Sequence, residues 1–452
     1  MQIIIVGCGK VGESLVERLS EEQEHNITVI DLRHALVQEI SSKYDVMGVV
    51  GNGITKDTLD EAGVSTTDLL IAVTGMDEQN LLISLMAKKL GVLNTVVRVR
   101  EPEYNKAGRF LKDEIGAAMV INPERAAANE IARVLRFPSA IKIDTFAKGR
   151  IEILQFCVEK GSVLSDMRVC EIVGKLDCDI LVCGIERDAK AYIPGGNFII
   201  EEGDKVSIIA SIANATRFFK KIGLKTNRVK DTMIVGGGNM AYYLAEQLLE
   251  TGTQVKIIEK DLDRCEFLCQ ALPKASVLHG DGTDNTLLLE EGLETAGSLV
   301  SLTNIDEENV LLSLYAQSIT EGKIVTKINR IAYDDVITRL NLGTTIYPKN
   351  ITAEYIIRFV RAMKNSMGSN IETLHMILDE KAEALEFHIR EHSPVTNVTL
   401  EKMQLKENVL IACINRGNKV IIPRGQDVIL PGDSVIVITL RASIKEITDI
   451  LR

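Results

Sequence analysis

Met1-Gln-Ile-Ile-Ile-Val-Gly7-Cys8-Gly9-Lys10-Val11-Gly12 opens the chain, and after a helix-like run comes Asn26-Ile-Thr-Val-Ile-Asp31. An apolar run, Ile3 to Val6, stops at a glycine. Three glycines then stand at the spacing G-x-G-x-x-G, and a second apolar run ends in an acid. Each piece has a physical role. Gly7 permits the tight turn out of a strand, Gly9 lets a phosphate approach the backbone, and Gly12 lets the helix pack close to the sheet. The helix N-terminus offers free N–H groups and a positive dipole end. Asp31 is placed to accept hydrogen bonds from ribose hydroxyls. Glycines, preceding strand, following helix and terminal acid together predict a nucleotide-type βαβ unit.

The 452 residues suggest three or four domains at about 100–200 residues each. Composition is that of a globular protein, 46% hydrophobic and 25% charged. A net charge of −11 argues against a nucleic-acid partner, which needs clustered Lys and Arg. No apolar run approaches the roughly 20 residues that span a bilayer, and no basic leader precedes the first strand, so neither a membrane span nor a signal peptide is expected. The eight cysteines (8, 157, 170, 178, 183, 265, 269, 413) are scattered, as buried or free thiols in a reducing compartment are. Cys265 and Cys269 share a helix face, yet no histidine lies near to complete a metal site; core packing is expected there and no metal anywhere. Trp is absent and aromatics make up 4%, which disfavours base-stacking platforms.

The chain repeats itself. Thr232-Met-Ile-Val235 precedes Gly236-Gly237-Gly238-Asn239-Met240-Ala241, offset from the first motif by 229 positions. Asp31 maps near Glu259, Gly51-Asn52-Gly53 onto Gly280-Asp281-Gly282, and Thr74 through Asn80 onto Thr303 through Asn309. Ile193-Pro194 maps onto Ile422-Pro423, and Gly203-Asp204 onto Gly432-Asp433. The chain is therefore two copies of one unit, each in two parts.

The first part alternates six apolar runs (Ile3–Val6, Ile27–Ile30, Val46–Val50, Leu69–Val73, Thr95–Val99, Ala118–Ile121) with amphipathic stretches. That pattern calls for a parallel doubly wound sheet. Pro123 begins one more helix, Glu124 to Arg136, with no strand left to wind onto; its counterpart runs from Pro348 to about Arg361. A subunit or domain contact is expected of both. The second part is a small β-rich α+β domain with turns at Ile-Pro-Gly and Glu-Gly-Asp. The fold class is thus α/β: two Rossmann-like doubly wound domains (1–137 and 230–362), each followed by a small α+β domain (140–222 and 370–452), with linkers expected at 140–149 and 223–231. Glu201, Glu202 and Asp204 read as a solvated turn, with a cation site as the alternative.

Ala72-Val-Thr74-x-x-Asp77-Glu78-x-Asn80, together with the domain pair and its doubling, resembles the RCK (regulator of K+ conductance, or KTN) family. The tandem arrangement is similar to the regulatory subunits of the Trk potassium-uptake system. The resemblance implies a nucleotide-binding regulator at the inner, cytoplasmic face of the cell membrane. It implies a homo-oligomeric ring of domains, a tetramer or dimer of dimers, and a separate Trk-type potassium-transporting membrane protein as partner.

Matching positions carry the site over. In the first copy Gly7, Cys8, Gly9, Lys10, Val11 and Gly12 would hold phosphates and Asp31 a ribose. Gly51, Asn52, Gly53, Val73 and Thr74 would line the adenosine side. Arg98 and Arg100, at the end of the fifth strand, could neutralise phosphate; the alternative is a solvated surface pair. In the second copy the counterparts are Gly236, Gly237, Gly238, Asn239, Met240, Glu259, Gly280, Asp281, Thr303 and Asp306. There Lys10 becomes Asn239, Arg98 aligns with Lys327 and Arg100 with Asn329, so phosphate charge is expected to fall and the first site to prefer the more highly charged ligand. A carboxylate at Asp31 favours a free 2′-hydroxyl, so NAD(H) or ATP/ADP is expected rather than NADP; these residues do not separate the two. The rival reading is an NAD-dependent oxidoreductase. No catalytic group is doubled with the nucleotide motif, so a regulator, not an enzyme, is expected.

Overall fold

The computed structural model describes residues 1–452 except 22–24, 107, 137–141, 147–150, 189, 225–228, 330–339, 341, 367–370, 379–380, 418, 441–443 and 445. Contacts divide it into two compact units, Met1–Leu135 with Val229–Ile357, and Arg136–Arg228 with Arg358–Arg452.

The first unit holds both doubly wound sheets. Its first half runs β1 (Gln2–Val6), α1 (Lys10–Glu21), β2 (Asn26–Asp31), α2 (His34–Tyr44), β3 (Met47–Val50), α3 (Lys56–Glu61), β4 (Leu69–Ala72), α4 (Asp77–Lys89), β5 (Asn94–Arg98), α5 (Pro102–Lys106), α6 (Gly108–Ile115), β6 (Met119–Ile121) and α7 (Pro123–Arg136). The strands pair in parallel in the order β3-β2-β1-β4-β5-β6. Helices cover both faces, so the central strands are apolar without alternation; Ile3 to Val6 are all buried. The order reverses between β1 and β4, which opens a crevice at their C-terminal ends.

The small domains, in the second unit, begin with β7 (Lys142–Phe146), β8 (Ile151–Cys157), α8 (Val169–Leu176), β9 (Leu181–Arg187), β10 (Lys190–Tyr192), β11 (Lys205–Ala210) and α9 (Ile212–Lys221). β7 corrects the expected linker at 140–149: its backbone pairs antiparallel with β8 and completes a five-stranded sheet. Of the other expected linker, 225–228 lie outside the described residues.

The second doubly wound half repeats the first: β12 (Asp231–Val235), α10 (Asn239–Glu250), β13 (Gln254–Glu259), α11 (Leu262–Ala271), β14 (Ser276–His279), α12 (Asn285–Glu290), β15 (Ser298–Ser301), α13 (Asp306–Ile319), β16 (Lys323–Lys327), β17 (Thr344–Ile346) and α14 (Pro348–Ser366). Its order is β14-β13-β12-β15-β16-β17. The chain closes with β18 (Ile371–Ile377), β19 (Ala382–His388), β20 (Val409–Arg416), β21 (Lys419–Ile421) and β22 (Ser434–Thr439), a second antiparallel sheet.

Helix α7 meets the expectation of a domain contact within this one chain. Its Ala127, Ala128, Ile131, Val134 and Leu135 share a core with Tyr243, Leu244 and Leu248 of α10. Polar locks flank that core. Asn122 Nδ2 donates to the Tyr243 hydroxyl at 3.0 Å, and Gln247 Nε2 donates to Asn129 Oδ1 at 2.8 Å.

In the second unit the two small sheets share a core in which Ile153, Cys183 and Ile209 meet Leu378, Ala384, Cys413 and Ile438. Gly184 permits the approach, since a Cβ there would lie 2.6 Å from Leu378 Cδ1. In the turn at 201–204, Glu201, Glu202 and Gly203 are exposed as expected, and only Asp204 departs from the solvated reading. Asp204 is 1% exposed and takes two bonds from Arg187, at 2.7 and 2.8 Å, which Asp433 and Arg416 repeat at 2.9 Å each. A buried carboxylate requires such a partner.

The glycines of the first loop differ in what they tolerate. A Cβ on Gly12 would run into the Gly7 carbonyl oxygen, whereas one on Gly9 would meet nothing within 4 Å. Gly12→Ala is therefore expected to lower unfolding stability by about 1–3 kcal/mol, and Gly9→Ala to stay within about 0.5 kcal/mol of the parent. Denaturant titrations of the two variants check this; equal losses would refute it.

Candidate functional site

The first cleft forms where β1, β2 and β4 end. Gly7 turns the chain at φ +108°, and a Cβ there would lie 2.9 Å from the Val73 and Thr74 backbone. The Cys8 amide donates to Asp31 Oδ2 at 2.8 Å, which ties the end of β2 to the loop. Arg33 also holds Asp31: its amide and Nε reach Oδ1 at 3.0 Å, and Nη2 reaches Oδ2 at 3.1 Å. Burial alone would raise the Asp31 pKa; the Arg33 and Cys8 bonds outweigh it and hold the carboxyl below its ordinary value. The Cys8 thiol, buried and beside that carboxylate, is pushed up to about 12 and is no thiolate at neutral pH.

The Thr74–Asn80 motif builds the opposite wall. Asn80 Oδ1 accepts from the Thr74 amide at 2.8 Å, and Asn80 Nδ2 donates to the Arg98 carbonyl at 3.0 Å. Asp77 Oδ2 accepts from the amides of Arg100 and Glu101 at 2.7 and 3.0 Å. The motif thus clamps the β4–α4 turn to the end of β5. The second copy repeats the clamp: Asn309 takes the Thr303 amide at 2.9 Å and reaches the Lys327 carbonyl at 3.0 Å, while Asp306 takes the Asn329 amide at 2.9 Å.

The cleft is about 710 Å³. Of the expected residues, Gly7, Gly9, Lys10, Val11, Asp31, Gly51, Asn52, Gly53, Val73, Thr74, Arg98 and Arg100 line it; Cys8 and Gly12 do not. Residues that the sequence reading missed also line it: Arg33 and Glu124 from the same copy, and Asn329, Pro348 and Lys349 from the second. The cleft is thus composite. Arg98 is no solvated surface residue, for its Nε is buried without a hydrogen-bond partner. Burial, and then Arg100, lower its pKa. Arg100 is pulled down by burial too, but the charge and the 2.6 Å bond of Glu124 win and raise it. Five cationic side chains (Lys10, Arg33, Arg98, Arg100, Lys349) face two acidic ones (Asp31, Glu124) across this space.

The second cleft, about 480 Å³, is lined by second-copy residues alone. Gly236, Gly237, Gly238, Glu259, Gly280, Asp281 and Thr303 line it; Asn239, Met240 and Asp306 do not. Glu259 takes the Gly237 amide at 2.6 Å and the Asp261 amide at 2.9 Å, as Asp31 does in its own loop. Lys327, aligned with Arg98, is buried and does not line the cleft; its Nζ lies 3.4 Å from both the Leu302 carbonyl and Asn304 Oδ1. Charge falls as expected, to Lys260 and Arg264 against Glu259, Asp261, Asp281 and Glu308. Arg264 itself was not anticipated.

The Asp31 environment gives a pH test. Its folded pKa is depressed, so the stabilisation is present above the unfolded value of about 3.9 and is lost as pH falls through the folded value. Arg33 is largely exposed, which keeps its share to about 1 kcal/mol or less. Carboxyl-resolved NMR titration is expected to show the Asp31 midpoint rising in Arg33→Ala. An unmoved midpoint would refute the pairing.

The TrkA-N domain model matches residues 3–123 and 232–348, and the TrkA-C domain model matches 153–223 and 384–452. A Trk system potassium uptake protein TrkA from Haemophilus influenzae is 31% identical over 443 residues, covering 97% of this chain and 95% of that protein. A Trk system potassium uptake protein TrkA homolog from Archaeoglobus fulgidus is 29% identical over 452 residues, 100% of each. A solved structure described as the GsuK channel bound to NAD is similar in fold, at TM-score 0.64 and 16% identity over 97% of this chain and 77% of that one. No described helix is long and apolar enough to cross a membrane. Matched over more than half its length, the chain belongs to the TrkA family, with its TrkA-N and TrkA-C domains in tandem.

Proposed function

We propose that this chain is a nucleotide-responsive regulatory subunit of a Trk-type potassium-uptake system. Its ligands are NAD(H) or ATP/ADP, one at each cleft, and it acts as a ring-forming homo-oligomer on a separate potassium-transporting membrane protein. The observation that carries the reading is the composite first cleft. Its phosphate loop, acid and four of its five cations come from one copy, and Asn329 and the fifth cation, Lys349, come from the other. A polyanion there would touch both copies at once, so its affinity depends on how they are arranged. A ligand shifts an equilibrium only by its difference in affinity between states, commonly about 1–3 kcal/mol. The names of the relatives, Trk system potassium uptake proteins, supply the transported ion of this reading.

The excess of cations in the first cleft favours the more highly charged nucleotide there, and the acidic second cleft favours a ligand of lower charge.

Calorimetric titration of the full chain with NADH, NAD+, ATP, ADP and AMP is expected to resolve two classes of site. Asp31→Ala should abolish one and Glu259→Ala the other. Absence of binding by all five nucleotides would overturn the reading.

A further inference from the structure

Arg264 stands at the third position of α11, where the first copy has Leu36 in α2. It lines the second cleft and is half-buried. Its Nε donates to the Gly237 carbonyl at 2.7 Å, and Nη2 donates to Asn239 Oδ1 at 3.0 Å. Phe267 backs the guanidinium with its ring centroid 4.6 Å away. Asp261 caps the helix by accepting from the Arg264 amide at 2.8 Å, which sets the direction in which this side chain leaves the first turn.

The group is therefore braced against the phosphate loop itself. Two of its five N–H bonds serve that brace. The outer edge of the fork has no partner among the described residues. No carboxylate among the described residues makes an ion pair with it there. Burial is the main influence on its pKa and lowers it; Glu101, Glu259 and Asp261 oppose that from a distance. A desolvated cation with an unused planar edge, next to a helix N-terminus, is complementary to a phosphate. The first copy has no cation braced on its loop in this way: its cations come from the loop (Lys10), the residue before α2 (Arg33, whose fork is bonded to Asp31), the strand end (Arg98, Arg100) and the other copy (Lys349).

We propose that Arg264 sets the ligand charge preference of the second cleft: its free edge takes a phosphate of a nucleoside diphosphate or dinucleotide lying over residues 236–240. This rests on the nucleotide reading above. It deepens that reading by naming the residue that separates diphosphate-bearing ligands from a nucleoside in this cleft. The brace to Gly237 makes the choice local, since the cation need not be drawn in from solvent when the ligand arrives.

The test uses the full chain carrying Asp31→Ala, which silences the first cleft. Adenosine, AMP and ADP are titrated with Arg264 intact, with Arg264→Lys and with Arg264→Gln. The ADP-to-adenosine affinity ratio is expected to fall about 10- to 100-fold in Arg264→Gln, from the loss of a charged hydrogen bond. Arg264→Lys should lie between, with its charge kept and its fork lost. Adenosine affinity should hold in both variants, which also reports an intact cleft. An unchanged ratio overturns the inference and leaves the nucleotide reading standing. An equal loss for adenosine and ADP makes Arg264 a brace of the loop alone and also overturns it. Failure of every ligand to bind with Arg264 intact removes the nucleotide reading, and the inference falls with it.

Discussion

The burial of α7 against α10 is the contact on which the first cleft depends. Six parallel strands already have their helices by the time the chain reaches Pro123. An amphipathic helix that follows must still bury its apolar stripe. Ala127, Ala128, Ile131, Val134 and Leu135 do so against Tyr243, Leu244 and Leu248, and small alanines let the two helices approach. The same turn of chain carries Asn122, bonded to Tyr243, and Glu124, bonded to Arg100. Packing between copies and charge in the cleft are thus set by neighbouring residues. The Tyr243 hydroxyl adds a third tie, to the Arg100 carbonyl at 3.4 Å. Asn329 and Lys349 reach the first cleft within the framework that this contact holds.

Duplication has kept the backbone machinery and let the side chains diverge. The carboxylate at the end of the second strand accepts a loop amide in both copies, and the Thr–Asp–Asn clamp makes the same bonds to the same main-chain groups. Both features satisfy polar groups that the crevice would otherwise leave buried without partners. They are scaffold, so they persist. Lys10, Arg98 and Arg100 are not needed for that scaffold, and at those three places the second copy has Asn239, Lys327 and Asn329.

The fold and most of the first cleft were legible in the sequence because they follow local rules. Glycine spacing, a strand ending in an acid and strict alternation of apolar runs place Gly7, Asp31 and the Gly51–Gly53 turn without knowledge of any distant contact. What was not legible comes through tertiary packing. Lys349 and Asn329 lie far along the chain from Lys10, and only the pairing of copies brings them to one cleft. Asp204 read as a solvated turn because its partner Arg187 sits on another strand. The segment that forms β7 reads as a linker because a short edge strand with polar residues at Lys142, Asp144 and Thr145 lacks an apolar run. For Arg264 a signal did exist: Asp261, three residues earlier, is an N-cap residue, so a first-turn cation falls beside the acid at Glu259.

The two clefts then differ in the lever each offers. In the first, cations at the strand end meet residues of the other copy, so a ligand held there has contacts that change when the copies move. In the second, the strand-end cation is Lys327, drawn inward to the Leu302 carbonyl and Asn304, with burial lowering its pKa. An ammonium yields its proton under burial far more readily than a guanidinium, which makes Lys327 the weaker anchor for an anion. The positive group beside the second loop is instead Arg264, held on the same copy. A ligand seated among residues of one copy stabilises that copy by mass action. Such a ligand biases the relation between copies only if it has a further difference in affinity between their arrangements. On the proposed reading, the occupant of the first cleft is therefore the direct effector, and the occupant of the second tunes the stability of the half against which α7 is packed.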